Sequence, residues 1–216
     1  MISNRRPAPV DARWHIEVPS PIGPLRLVAG AAGVVGLYHG EHDPAPTEAR
    51  LGRRVPGPGP DIGRSAEGPG AGSVEGPGPG AEPGDGPGAD ASVDPSAPAV
   101  TVLEQAGAEL GEYFAGTRQV FEVPVDVRGT PFQLAVWAAL SSIPYGERRS
   151  YRDIAEQLGN PRMGRAIGAA VRSNPVSIIV PGHRVVSSTG AVVGYAAGTG
   201  TKTWLLDLEL SHRSRQ

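Results

Sequence analysis

Residues 56–88 hold 20 Gly or Pro in 33 positions, and a stretch of that composition predicts a part of the chain that does not fold. Ordering a backbone costs roughly 1–2 kcal/mol per residue. With no aromatic residue between Tyr38 and Tyr113, this region has too little apolar surface to offset that cost. Glycine does not recur strictly at every third position, so a collagen triple helix is excluded. The reading is a disordered, acidic, Gly/Pro-rich linker over 41–99 set inside a folded protein. It separates a β meander over 1–40 from a helix and strand over 100–127 that complete the same N-terminal domain. A second domain follows over 128–212, with a short tail at 213–216.

Charge divides the chain in the same place. Residues 1–127 carry a net −8 and residues 128–216 a net +6. A basic domain of this kind points towards polyanions, nucleic acid among them. The sequence contains no cysteine, which excludes disulfides, thiolate-ligated metals and a cysteine nucleophile. Five scattered histidines make no metal-ligand set of usual spacing, so no metal and no cofactor are expected. No apolar run approaches the ~20 residues that cross a bilayer, and no signal peptide opens the sequence. The expectation is a cytoplasmic protein, monomeric and without a membrane partner.

Three short apolar segments, Arg13–Val18, Pro24–Ala29 and Val34–His39, are separated by turn residues and predict an antiparallel meander. Val102, Leu103, Ala106, Leu110, Tyr113 and Phe114 recur at helical spacing, stopped by Gly116. Gln119–Val127 alternates as a strand that would share the sheet of the meander. Beyond Gly129, Thr130-Pro131 opens a helix through Leu140. Ser150 caps a further helix to Leu158. After the break at Gly159-Asn160-Pro161 a second short helix covers Arg162–Arg172, the helix-turn-helix pattern. The fold class is therefore α+β: a small antiparallel sheet with one helix, plus a helical, winged helix-turn-helix-like DNA-binding domain.

The second of these helices contains Gly164, Ala166, Gly168, Ala169 and Ala170 beside Arg162, Arg165 and Arg172. Interior glycine costs a helix roughly 1 kcal/mol against alanine. Either another helix packs tightly on that face, or the face lies against a nucleic-acid groove.

From Gly129 to Glu209 the sequence reads Gly129-Thr130-Pro131-Phe132-Gln133, Ile143-Pro144-Tyr145-Gly146-Glu147, Ser150-Tyr151, Asn174-Pro175-Val176, Pro181-Gly182-His183-Arg184, Gly194-Tyr195 and Lys202-Thr203-Trp204-Leu205-Leu206. This ordered set resembles the O6-alkylguanine-DNA alkyltransferases, suicide proteins that move an alkyl group from guanine to a cysteine. The front half also resembles that family's N-terminal domain, with the linker as an insertion. The family motif is Pro-Cys-His-Arg, so Gly182 stands at the nucleophile position and no catalytic set is intact. His183 and Glu209 match the histidine and glutamate that activate the thiol through a water, leaving a relay with nothing to deprotonate. In this respect the sequence is similar to the alkyltransferase-like branch, which lacks the cysteine.

The resemblance implies further roles. Tyr151 would press on the phosphate beside a flipped nucleotide, and Arg165 would fill the vacated stack. Arg162, Arg172, Asn174 and Arg184 would join the DNA contact, Asn174 also tying the helix-turn-helix to the active-site turn. Gly182, Val185, Tyr195 and Ala196 would form the base pocket. The expected function is non-catalytic binding and flipping of O6-alkylguanine in duplex DNA, marking the damage for repair, with nucleotide-excision repair proteins as further partners. Two alternatives stand beside it. One is a methylated-DNA–protein-cysteine methyltransferase whose cysteine has been substituted by Gly182. The other is a degenerate DNA-binding or scaffold protein without lesion preference.

Overall fold

The computed structural model describes residues 12–43, 45–55 and 97–213. Strands β1 (Trp14–Val18), β2 (Leu25–Gly30) and β3 (Gly33–His39) form the expected antiparallel meander. Alternate residues turn Trp14, Ile16, Leu25, Leu27 and Leu37 inwards, the period-two pattern of a half-buried sheet.

Two expectations change. Composition puts residues 45–55 in the linker, yet Glu48–Leu51 form a helical turn (α1) and Arg53–Arg54 a strand (β4). β4 pairs in parallel with β1, opposite Trp14 and His15, giving the sheet order β3-β2-β1-β4. It covers an edge that β1 would otherwise expose. Composition averaged over the Gly/Pro-rich window hides so short a strand. The part of the linker at 56–96 lies outside the described residues.

The second change concerns Gln119–Val127, which forms no strand. It touches β3 at one bridge, Val34 to Val125, where the Val34 amide donates to the Pro124 carbonyl at 2.8 Å and the Asp126 amide to the Val34 carbonyl at 2.8 Å. Pro124 has no N–H with which to extend the ladder. Gly33 makes the close approach possible, because a Cβ there would fall 2.5 Å from the Pro124 carbonyl oxygen.

Helix α2 (Ala97–Phe114) lays Ala99, Val102, Leu103, Ala106, Leu110 and Tyr113 against the sheet. Helix α3 (Pro131–Ser141) starts at a capping box between Thr130 and Gln133. Helix α4 (Tyr151–Gln157) starts at another, between Ser150 and Asp153, each satisfying two backbone donors at the helix start. Helix α5 covers Gly164–Arg172 and begins two residues later than expected. The Asn160 side chain holds the Arg162 amide at 3.1 Å and keeps 161–163 in a turn. Strands β5 (Arg149–Ser150) and β6 (Val185–Val186) pair in parallel, and helix α6 (Gly198–Arg213) closes the fold. Among the described residues, no helix is long and apolar enough to cross a membrane.

One continuous core joins the halves, running from Trp14 and Leu27 through Leu110 to Ile154, Val176 and Leu205. β3 reaches the second half directly: the Leu37 amide donates to the Pro175 carbonyl at 2.8 Å.

Candidate active site and nucleic-acid interface

The segment from Asn174 to Arg184 carries the chemistry, and a buried asparagine shapes it. Asn174 donates from Nδ2 to the Val180 carbonyl at 2.8 Å and accepts from the Val176 amide at 3.1 Å. Inside this staple Ile178 sits at φ +71°, a left-handed conformation that a β-branched residue adopts only under constraint. The stapled loop delivers Gly182–Arg184 as a single turn of 3-10 helix, all three residues buried.

Around Glu209 on α6 a dense polar network converges. His183 Nε2 lies 2.7 Å from Glu209 Oε1. Arg184 donates from Nε to Oε2 and from Nη2 to Oε1, both at 2.9 Å. The Tyr113 hydroxyl and the Gly146 amide each donate at 2.9 Å. Burial alone would raise the Glu209 carboxyl; the hydrogen bond from His183 and the hydrogen bonds and charge of Arg184 outweigh it and lower its pKa to about 2. Glu209 is thus an ionised acceptor, so His183 Nε2 must carry the donated hydrogen. Burial pushes His183 down and keeps it neutral. Its other nitrogen, Nδ1, is therefore a lone-pair acceptor, and it has no hydrogen-bond partner among the described residues.

The expected pocket residues gather here with one unforeseen neighbour. Val185 is buried in β6 and Ala196 is buried beside Tyr195. The Tyr195 hydroxyl lies 3.3 Å from His39 Nε2, at the end of β3. The Ala196 carbonyl accepts from the Asp43 amide at 2.9 Å. Burial, then His42 and His183, lower His39 to about 4. Lys202 on α6 donates to the Val193 carbonyl at 2.8 Å, and burial lowers it to about 8. Sequence reasoning assigned no role to His39, Tyr113 or Lys202. Lys202 stood within a quoted motif, but no sequence signal joins His39 to Tyr195 across 156 positions.

A cleft of about 1270 Å³ opens between the sheet and α5 and meets the site's loop at Asn174 and Pro175. Tyr151, Arg165, Arg172 and Asn174 line it, with Arg13 and Arg50 from the N-terminal half. The Tyr151 hydroxyl donates to the Val193 carbonyl at 3.2 Å. Arg165, Ala166, Ala169 and Arg172 form an exposed face of α5. The glycines of that helix are not demanded by packing: a Cβ at Gly164 would meet nothing within 4 Å, and one at Gly168 only Tyr151 Cε1 at 3.9 Å. Arg162 is exposed in the turn before α5.

Arg184 corrects an expectation. Rather than facing DNA it is buried, with Nε and Nη2 on Glu209 and Nη1 on the Ile143 carbonyl at 2.6 Å. An ionised glutamate inside the core needs a cationic partner, and Arg184 is the guanidinium within reach. Asn174, also expected among the DNA contacts, is buried and spends its amide on the loop.

Residues 131–211 match the family described as 6-O-methylguanine DNA methyltransferase, DNA binding domain. The O6-methylguanine methyltransferase of Mycobacterium tuberculosis has a similar crystal structure. Its TM-score is 0.66 at 33% identity, over 93% of this chain and 94% of that one. The chain belongs to the O6-methylguanine-DNA methyltransferase family.

The same M. tuberculosis protein in complex with DNA has a TM-score of 0.69 at 33% identity, over 92% and 94% of the two chains. Among curated members of the family, the inducible methylated-DNA–protein-cysteine methyltransferase of Bacillus subtilis is 51% identical over 107 residues. That alignment covers 50% of this chain and 60% of the relative's own length. The methyltransferase of Methanosarcina acetivorans is 49% identical over 105 residues, 49% of this chain and 67% of its own. In this chain Gly182 precedes the paired His183 and Glu209, and the sequence contains no cysteine.

Proposed function

We propose that this protein binds O6-alkylguanine in duplex DNA, flips the base into the pocket beside Gly182, and retains it there without accepting the alkyl group, marking the lesion for repair proteins. One observation carries the reading. The relay of His183 and Glu209 and the loop around it are fully assembled, while the sequence has no thiol for that relay to activate. A thiolate is the polarizable nucleophile that alkyl transfer to protein requires.

The cleft supports the DNA contact. Its exposed α5 face offers small residues between arginines, which lets a helix backbone approach a groove closely while guanidinium groups meet phosphates. Arg165 is exposed at the start of that helix, where a planar cation can enter a stack opened by flipping. Tyr151 lines the same cleft beside Gly168 as the group that presses on the backbone.

The test compares duplexes with and without O6-methylguanine. The protein binds the damaged duplex more tightly, a 2-aminopurine beside the lesion brightens on binding, and intact-mass spectrometry finds no alkylated protein. Equal affinity for both duplexes overturns the reading. A second reading, a methyltransferase that has exchanged its cysteine for glycine, is supported by the 51% identity to a named methyltransferase. It predicts that Gly182→Cys restores methyl transfer to the protein.

A further inference from the structure

The cleft between the sheet and α5 takes its positive charge from both halves of the chain. Arg165 and Arg172 stand on α5, inside the segment that matches the family's DNA-binding domain. Arg13 and Arg50 line the same cleft from outside that segment. Among the described residues that line it, Asp126 is the one carboxylate.

The fold brings the two N-terminal arginines together from separate segments. Arg13 immediately precedes β1, and Arg50 lies in the last turn of α1. The Arg53 amide donates to the Arg13 carbonyl at 2.8 Å. Gly52, at φ +71°, permits this approach, because a Cβ there would collide with the same carbonyl. Arg50 donates to the hydroxyl of the buried Tyr38, and the charge of Arg13 acts on that hydroxyl too. Tyr38 meets His42 edge-on, with 5.2 Å between ring centroids, and both rings line the cleft. Among the described residues neither arginine pairs with a carboxylate. Two guanidinium groups gathered about one hydroxyl repel each other, and an anion entering the cleft relieves that repulsion. With a second pair of arginines on α5, the cleft suits a polyanion that spans it better than a single small anion.

We propose that Arg13 and Arg50 form a second phosphate contact for duplex DNA, so that the backbone of DNA held at α5 is gripped across the cleft by the N-terminal half of the chain. The inference rests on the cleft as the DNA site in the reading above, and not on lesion preference or base flipping. Phosphate oxygens accept bidentate hydrogen bonds from guanidinium groups. Such a contact adds affinity and orientation and carries no information about the base.

The experiment titrates the full chain into a short duplex, with and without O6-methylguanine, by fluorescence anisotropy over a range of salt concentrations. Replacing both residues, Arg13→Gln with Arg50→Gln, should weaken binding to the two duplexes by the same factor. It should also lower the slope of log K against log salt by about 1.8, the share of two phosphates. Arg13→Lys with Arg50→Lys keeps the charge and should keep most of the slope, which separates loss of charge from loss of fold. Arg53→Gln with Arg54→Gln removes as much charge from exposed positions that do not line the cleft, and should change the slope far less. An unchanged slope for the Arg13/Arg50 glutamine variant, while Arg165→Gln lowers it, overturns this inference alone. Equal losses from the Arg53/Arg54 and Arg13/Arg50 pairs overturn it as well, since only net charge would then count. Thermal stabilisation by inorganic phosphate that needs Arg13 and Arg50, with no change in the DNA slope, makes this a small-anion site and overturns the DNA contact. If neither Arg165→Gln nor the Arg13/Arg50 variant alters the slope, the cleft is not the DNA site, and the reading beneath this inference falls with it.

Discussion

Ile178 and His39 show how single residues carry the demands of this site. The strain of Ile178 at φ +71°, roughly 1–3 kcal/mol for such a conformation, is held by the two hydrogen bonds of Asn174. Removing them leaves a buried carbonyl and a buried amide unsatisfied. Asn174→Ala should destabilise the protein by about 2–4 kcal/mol, read from urea denaturation. His39 provides a pH dependence. Its pKa falls from 6.5 unfolded to about 4 folded, so between these values the unfolded chain binds more protons. The stability present above pH 6.5 is therefore lost as pH falls through about 4, up to about 3 kcal/mol from this residue. His39→Gln should flatten the fall in stability between pH 7 and pH 4.5, as followed by urea melts at each pH.

At the scale of the element, α5 is the most informative. Its two glycines weaken the helix without meeting any close neighbour, which favours an external partner over internal packing as their reason. Gly168→Ala should raise stability by roughly 0.5–1 kcal/mol and lower affinity for duplex DNA, because the new methyl group lies on the approach face. Thermal melts and anisotropy titrations check both halves; unchanged affinity would remove that face from the DNA contact. The helix starts were legible because Thr130-Pro131 and Ser150 with Asp153 are local signals, and both form capping boxes. Thr130→Ala should cost about 1 kcal/mol by the same melts. β4 was not legible. A two-residue strand has no period, and its identity comes only from the β1 edge it covers.

The whole molecule binds its acidic front and basic back through one core, reinforced by Leu37 to Pro175, Asp43 to Ala196 and His39 to Tyr195. Unfolding followed by tryptophan fluorescence and by circular dichroism should coincide in a single transition. Two separated transitions would show that the halves are energetically independent. DNA affinity should fall with salt at a slope of about −0.9 per phosphate neutralised, and Arg172→Ala should lower that slope by about one.

The sequence by itself determined the class of fold, the meander, the helix-turn-helix with its caps and the family resemblance. It also determined the absence of a thiol. The resemblance rests on the ordered motifs from Gly129 to Glu209, and the others follow from local spacing or from composition. Tertiary structure alone decided that Arg184 faces Glu209 rather than DNA, that His39 meets Tyr195, and that the buried His183 Nδ1 is left without a partner among the described residues. The reason is physical. A buried charge or lone pair is defined by what surrounds it, and those surroundings come from positions 25 to 156 residues apart in the chain.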